Sequence, residues 1–451
     1  MRRSLTTVVA VAITAVVLDA PPALAHGIGG RSDLPVPLSY FLVGAAAVLV
    51  VSFVLLAALW VEPRLQDGPR QRPFRGRWAG LFSAFFRVLG VLGLVLVVVA
   101  GLFGSPAGSR NIAPVLVWVY LWLVVPFVSV AAGNLWAAIN PWRTMGSAAF
   151  NGNERPDATD RLGILPAATA FIGFTWLELV YPDSSLPLAL AIAALVYTAY
   201  LGGAMLWAGV STGLQTADLF TSYNRVLSAI SPLGRTDDGR LVWRGWLRAL
   251  PVLPPWRGLT LFVVAMIGTV TYDGLSATPL WSGTLGDLVR ETWFGTLGLI
   301  ATVALIGACY LLASRIAVAL SGDPQAHTAR VARRFAHTLV PIGFAYAFAH
   351  YFTLVVFEGQ ILIAALSDPF ALGWDLFGTA DYRIDFGLIS PTAVWFVQVA
   401  VIVTGHVLGV VLAHDRALVD FPAPTAVRTQ YAMLGLMVLL TGLGLAILAA
   451  G

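Results

Sequence analysis

The sequence contains no lysine, and all 27 of its basic residues are arginine. Schiff-base chemistry on a lysine amine is therefore excluded. The single cysteine, Cys309, leaves no internal disulfide, CxxC pair or cysteine-rich metal motif, and its place in an apolar run marks it as a small buried hydrophobe. Charge of either sign is scarce. Charged residues make up 11% of the 451, against roughly a quarter in soluble domains, while 58% are hydrophobic and the mean hydropathy is +0.82. No HExxH, GxSxG, P-loop or GxGxxG occurs in a useful context, so no serine-hydrolase or nucleotide-binding signature is present. Heptad arrays, low-complexity tracts and a segment fit for a soluble domain are missing as well.

What is present is a series of apolar runs of about 20 residues, each long enough to cross a bilayer as a helix. They lie near 38–60, 80–103, 113–137, 163–181, 186–209, 258–272, 293–314, 336–357, 391–413 and 430–450. The expected fold is all-α, a polytopic membrane helix bundle of about ten transmembrane helices that forms a single domain over 26–451. The run at 258–272 is short, which predicts a tilted or partly re-entrant element.

Ahead of the first run stand Arg2 and Arg3, an apolar core from Val8 to Leu18, Pro21 and Pro22, and Ala23-Leu24-Ala25. This pattern predicts a cleavable signal peptide over 1–25 and an outward-facing His26 at the mature amino terminus. Loop charge agrees with that orientation. Twenty arginines fall in the loops that would face the cytoplasm, whereas the outer loops hold only Arg31, Arg110, Arg290 and Arg383. Both mature termini are then outside, as expected for a multi-pass protein of a bacterial cell membrane. The outer loops carry a formal charge of −7, an attraction for cations. The inner arginines suffice to set topology and meet anionic lipid, and no basic-aromatic interleaving suggests nucleic acid. Arg87, near a span end, is explained by snorkelling.

The longest inner connection, 210–257, contains a basic amphipathic stretch and predicts a helix lying on the membrane surface. LWAAINPWR at 135–143 and VLSAISPLGR at 226–235 suggest a two-span repeat, 113–183 and 186–280, with parallel orientation as in some transporter folds. Each half then ends in an outer carboxylate, Glu178 and Asp273.

Four of the six histidines, His337, His350, His406 and His414, lie on two adjacent apolar spans, where ionisable groups are costly and suggest function. His337 and His350 are 13 residues apart, or about 220° around a helix, so they cannot form one face for two stacked haems. His350, with Tyr346 one turn earlier and Glu358 beyond it, is a metal ligand, a proton carrier or a hydrogen-bonded helix-interface residue. His406 sits between Gly405 and Gly409, whose spacing favours close helix packing; it is the second candidate ligand. A terminal His26 could chelate copper or zinc through its amine and imidazole together. The outer loop 358–390 holds Asp368, Asp375, Asp381 and Asp385 with Trp374 and Tyr382, and reads either as a cavity cap or as an interfacial aromatic belt.

At AHGIGGRSDLP (25–35), TYDGLSATP (271–279), GWDLFGT (373–379) and GHVLGVVLAHDRAL (405–418), the chain resembles actinobacterial membrane proteins of the fenitrothion hydrolase family. The likeness covers most of the chain. It implies hydrolysis of an organophosphate ester, with a bound divalent metal (Zn, Mn, Co or Cu) to activate water and polarise the phosphoryl oxygen. Glu358, Asp273 and Glu178 would be the catalytic carboxylates of such a site, and His350, His406 and His26 its metal ligands. The residues equally accommodate a transporter or metal-handling permease that takes a small molecule or cation from the outer face. A mono-haem redox subunit is the third alternative.

Overall fold

The computed structural model describes residues 36–68, 72–73, 79–150, 152, 154–235 and 241–450. The expected signal peptide and His26 lie outside the described residues. The chain is an all-α multi-pass membrane protein. Its long helices are α1 (Leu38–Leu59), α2 (Ala79–Phe103), α3 (Ile112–Ala132), α4 (Leu165–Leu179), α5 (Pro187–Ala208), α6 (Leu259–Ser276), α7 (Thr292–Ser321), α8 (Val340–Phe357), α9 (Pro391–Asp420) and α10 (Tyr431–Ala450). Among the described residues nine helices are long and apolar enough to cross a membrane; a tenth crossing is obtained if α4 is joined to the short helix Pro156–Leu162, from which it is bent by 64°.

That break, rather than α6, is where the regular pattern of spans is interrupted. Gly163 provides the turn at φ 59°, and a Cβ there would lie 2.3 Å from the Arg257 carbonyl oxygen, so neither the conformation nor the space admits another residue. α6 is short yet unbroken. Most of it is enclosed by protein, and a helix so enclosed need not match the hydrocarbon thickness.

Two compact units divide the chain. One holds the chain up to Asp67, Val263–His350 and the chain from Ser390; the other holds Gly68–Phe262 and Tyr351–Ile389. In the first unit α9 is started by Pro391 and by the Ser390 hydroxyl, which accepts from the Ala393 N–H at 3.2 Å. Its Gly405 and Gly409 then lie directly against α8 and the turn before it. A Cβ on Gly405 would stand 2.4 Å from the Ala345 Cβ and 2.7 Å from the Pro341 carbonyl oxygen; one on Gly409 would be 3.0 Å from the Thr338 carbonyl oxygen. The sequence spacing of these glycines thus marks a real close approach.

In the second unit Gly101 of α2 meets α5 in the same manner: a Cβ there would lie 2.4 Å from the Pro187 carbonyl oxygen and 2.6 Å from the Ala191 Cβ. Within α3 the stretch Val115–Val124 adopts π-helical hydrogen bonding, ending as the Val125 N–H donates to the Tyr120 carbonyl. Pro126 follows, and its missing N–H breaks the ordinary α-helical ladder at this point. The connection 210–257 differs from the expected surface helix. Val210–Ala217 and Leu219–Ser228 are helical, but nearly every residue of the second is buried, and a small antiparallel sheet follows, with β3 (Leu241–Trp243) central between β1 (Arg72–Pro73) and β2 (Leu233–Arg235). The amphipathic pattern arises because one helix face meets apolar protein and the other meets a polar network.

Gly405→Ala should destabilise the detergent-solubilised protein by about 1–3 kcal/mol through overpacking. Gly435→Ala, where a Cβ meets nothing within 4 Å, should be neutral or stabilising by up to about 1 kcal/mol. Thermal unfolding followed by circular dichroism checks both.

Candidate functional site

Asp273 lies near the end of α6, and His350 lies in α8. Their side chains meet: His350 Nε2 and Asp273 Oδ2 are 2.9 Å apart, with the two side chains 27% and 22% exposed. The contact thus lies at the edge of the enclosed region, with an opening to the surroundings. Gly274, the neighbour of Asp273, is required by Ile447 rather than by the imidazole: a Cβ there would be 2.3 Å from Ile447 Cγ2 but in ordinary contact, at 3.7 Å, with Nδ1 and Cε1 of His350.

One turn before His350, the Tyr346 hydroxyl donates to the Leu440 carbonyl, and its ring packs 5.6 Å from that of His406. His406 itself is fully buried. Its Nδ1 is 2.8 Å from the Ile402 carbonyl oxygen, so that nitrogen carries the proton, while Nε2 is buried with no hydrogen-bond partner among the described residues. His406 is thus placed against Tyr346 rather than in the ion pair.

The other residues picked out from the sequence are distributed elsewhere. Glu178 and Glu358 belong to the second unit. Glu178 is partly buried at the end of α4; burial pushes the Tyr223 phenol up, and the Glu178 carboxylate adds to that. Glu358 is exposed in a single 3-10 turn after α8. In the loop beyond, Gln360 Oε1 accepts from the Tyr382 hydroxyl and the Asp385 N–H, both at 2.9 Å, while Asp368 accepts from the N–H groups of Leu372 and Gly373. These contacts fold the loop on itself. Among the described residues no group of three or more His, Cys, Asp or Glu is arranged to hold a metal ion. A metal held by protein ligands commonly needs three or four, and His350 with Asp273 supplies two.

His337 and His414 lie at the other end of the first unit, where His337 is buried with Nδ1 2.9 Å from the Arg334 carbonyl oxygen. His414 Nδ1 is 3.0 Å from Gln430 Oε1 and its Nε2 is 2.9 Å from the Trp60 carbonyl oxygen. The neighbouring Asp415 is completely buried and gathers the chain after α1: its Oδ1 accepts from Trp60 Nε1 at 3.0 Å and the Arg64 N–H at 2.6 Å, and its Oδ2 accepts from Gln66 Nε2 at 2.5 Å. Arg334 pairs bidentately with Asp420 through Nε and a terminal nitrogen.

Sequence reasoning missed the most heavily bonded carboxylate of the second unit, Asp218, which counted only as an inner-loop acid. It is completely buried. Oδ2 accepts from Thr221 Oγ1 at 2.6 Å, Asn140 Nδ2 at 2.9 Å and Trp136 Nε1 at 3.2 Å; Oδ1 accepts from the Tyr197 hydroxyl at 2.8 Å and the Phe220 N–H at 3.0 Å. All five donors are neutral. A signal for it exists in the sequence, in a register other than that of 135–143 and 226–235. Asn134-Leu-Trp-Ala-Ala-Ile-Asn140 and Asp218-Leu-Phe-Thr-Ser-Tyr-Asn224 align residue for residue, and their last residues are exchanged. Asn140 bonds the start of the second segment at Asp218. Asn224 Oδ1 accepts from the Ser129 hydroxyl at 2.8 Å, whose oxygen accepts from the Leu135 N–H at 3.0 Å at the start of the first. Trp136 and Phe220, equivalent in this register, pack with ring centroids 5.3 Å apart.

No family model, curated protein or solved structure matches the chain. The functional reading therefore rests on the residues and their geometry.

Asp218→Ala strands five donors and should cost about 3–5 kcal/mol, whereas Tyr197→Phe, which removes one bond to a charged acceptor, should cost about 1–3 kcal/mol; unfolding midpoints distinguish them. Glu154 makes a pH-dependent contact at the start of Val210–Ala217. Burial acts to raise its pKa, but the N–H groups of Ser211 and Thr212, each donating at 2.8 Å, outweigh it and hold the carboxyl below its ordinary 4.5. A carboxyl lowered on folding contributes stability above that ordinary value and loses it as pH falls through the lower folded value. Limited proteolysis near 150–155 should thus accelerate at acid pH in the wild type, and be fast and pH-independent in Glu154→Gln.

Proposed function

We propose that this multi-pass membrane protein takes up and releases a proton at the His350–Asp273 pair, and couples that exchange to movement of a small solute or cation. The single observation that carries the reading is the 2.9 Å contact between an imidazole and a carboxylate contributed by two different apolar helices. An isolated charge in such surroundings costs several kcal/mol, so the pair is most easily accommodated when its net charge is zero. With Asp273 ionised, neutrality requires His350 to hold an extra proton or a cation to stand near the carboxylate. Loss of the proton leaves a net negative charge that attracts the next cation. Competition between a proton and a cation for one carboxylate is the elementary step of exchange. The partial exposure of both side chains supports access to the pair.

A second reading is favoured by the same contact together with the likeness to the fenitrothion hydrolase family. A carboxylate bonded to one imidazole nitrogen orients the ring as a general base, which would take a proton from water as it attacks a phosphoester. No metal-dependent step is assigned to this reading, because the described residues provide two donors and no third.

In proteoliposomes carrying an internal pH indicator, wild-type protein should dissipate an imposed proton gradient when a permeant small cation is supplied. His350→Ala and Asp273→Asn should each lower that flux at least tenfold. Wild-type vesicles no leakier than empty ones would overturn the transport reading, as would variants of unchanged flux. Hydrolysis of an aryl phosphotriester by the wild type, abolished in His350→Ala, would select the second reading.

A further inference from the structure

We infer that the second unit contains a binding site for the acyl chain of a membrane lipid, in a cavity separate from the His350–Asp273 pair. The cavity has a volume of about 1070 Å³ and is walled by α2, α3, α4 and α5, with Trp136, Trp142 and Phe220 at one end. That is at the upper limit of the ~300–1,000 Å³ usual for small-molecule sites.

The chemistry of its wall selects the occupant. None of its lining residues is charged. The hydroxyls that line it already donate elsewhere: Tyr120 to the Gly359 carbonyl at 3.1 Å, Tyr197 to Asp218, Tyr200 to the Ala217 carbonyl at 3.3 Å and Thr169 to the Pro166 carbonyl at 2.8 Å. The indoles of Trp136 and Trp142 are likewise committed, to Asp218 and to the Thr198 hydroxyl. A polar solute would lose its hydration and find almost no donor in return, whereas an apolar chain loses nothing. Apolar cavities of this kind exclude water and take apolar guests.

The position of the walls names the source. Leu92 of α2 and Val196 of α5 line the cavity and are also 58% and 63% exposed, on helices long and apolar enough to cross a bilayer. Outward-facing side chains on such helices meet lipid, so a cavity that shares them with the bilayer is reached by a chain sideways from the membrane. Because the guest moves from one apolar medium to another, selection comes from contact with the walls rather than from the hydrophobic effect.

Two glycines keep the space open. Gly93 of α2 and Gly173 of α4 both line it, and a Cβ on either meets nothing within 4 Å. A side chain begun at either position starts in unfilled space at the cavity wall.

The test uses the full chain in vesicles of phosphatidylglycerol and phosphatidylethanolamine, doped with a phosphatidylglycerol that carries a diazirine midway along one acyl chain. After illumination the labelled positions are mapped by mass spectrometry. Labelling of the wild type should concentrate on cavity-wall residues that are not exposed, such as Trp142, Phe174, Leu190 and Phe220, and should fall at least fivefold there in Gly93→Phe and Gly173→Phe. Gly202→Phe, on α5 with equally open space but outside the cavity wall, should leave it unchanged. Labels spread evenly over the exposed apolar residues of α1, α2, α5 and α7 would overturn the inference. So would wall labelling that persists in folded Gly93→Phe and Gly173→Phe. If neither phenylalanine variant folds, the wild-type map decides alone, because an annular lipid gives the even pattern and a seated chain the concentrated one.

Discussion

In a chain with so little charge, an ionised side chain that leaves water has to be answered by the protein itself, and that requirement organises both units. Asp218 and Asp415 are each completely buried, and each is answered largely by neutral donors. The donors come from separated stretches of chain. Asp218 draws together the turn after α3, the middle of α5 and the helix it caps; Asp415 fixes the segment that leaves α1 against α9. Such carboxylates contribute position more than net stability, since the cost of desolvation consumes much of what the hydrogen bonds return. What they specify is which loop goes where at the ends of helices whose apolar sides would otherwise pack in many ways.

Set beside them, the pair of Asp273 and His350 is the exception. Its carboxylate meets a titratable partner, it remains partly exposed, and its charge depends on whether a proton is present. The difference between a saturated buried carboxylate and a half-exposed one facing an imidazole is the difference between a structural clamp and a site with more than one state. The pair belongs to the first unit and the apolar cavity to the second, and they differ in kind, the one built of ionisable side chains and the other lined by no charged residue.

The spans were legible from the amino-acid sequence because hydropathy over twenty residues is a local property, and the glycine spacing at 405 and 409 was legible because a close approach leaves a local trace. Asp273 and His350 each stood out as ionisable residues in or beside apolar runs, but their contact joins α6 to α8 and has no local trace. Asp218 was hidden for another reason. An acid in an arginine-rich connection reads as solvated, and only its place at the head of a seven-residue segment that recurs at Asn134–Asn140 distinguishes it. The connection 210–257 reads as a surface helix for a related cause: periodicity reports that a helix has two unlike faces, and protein supplies both surroundings to Leu219–Ser228. The break at Gly163 required knowledge of Arg257, far along the chain.

The contacts of Gly405 and Gly409 have a dynamical consequence for the first unit. Helices held this closely, with one backbone seated against the other, cannot slide along each other by a fraction of a turn without forcing main-chain atoms together. Val340–His350 of α8 together with α9 therefore form one lever within the first unit. A change of charge at His350 is then expressed as rotation of that lever about its ends or as a swing of the imidazole, and their amides should exchange with solvent as one cooperative block.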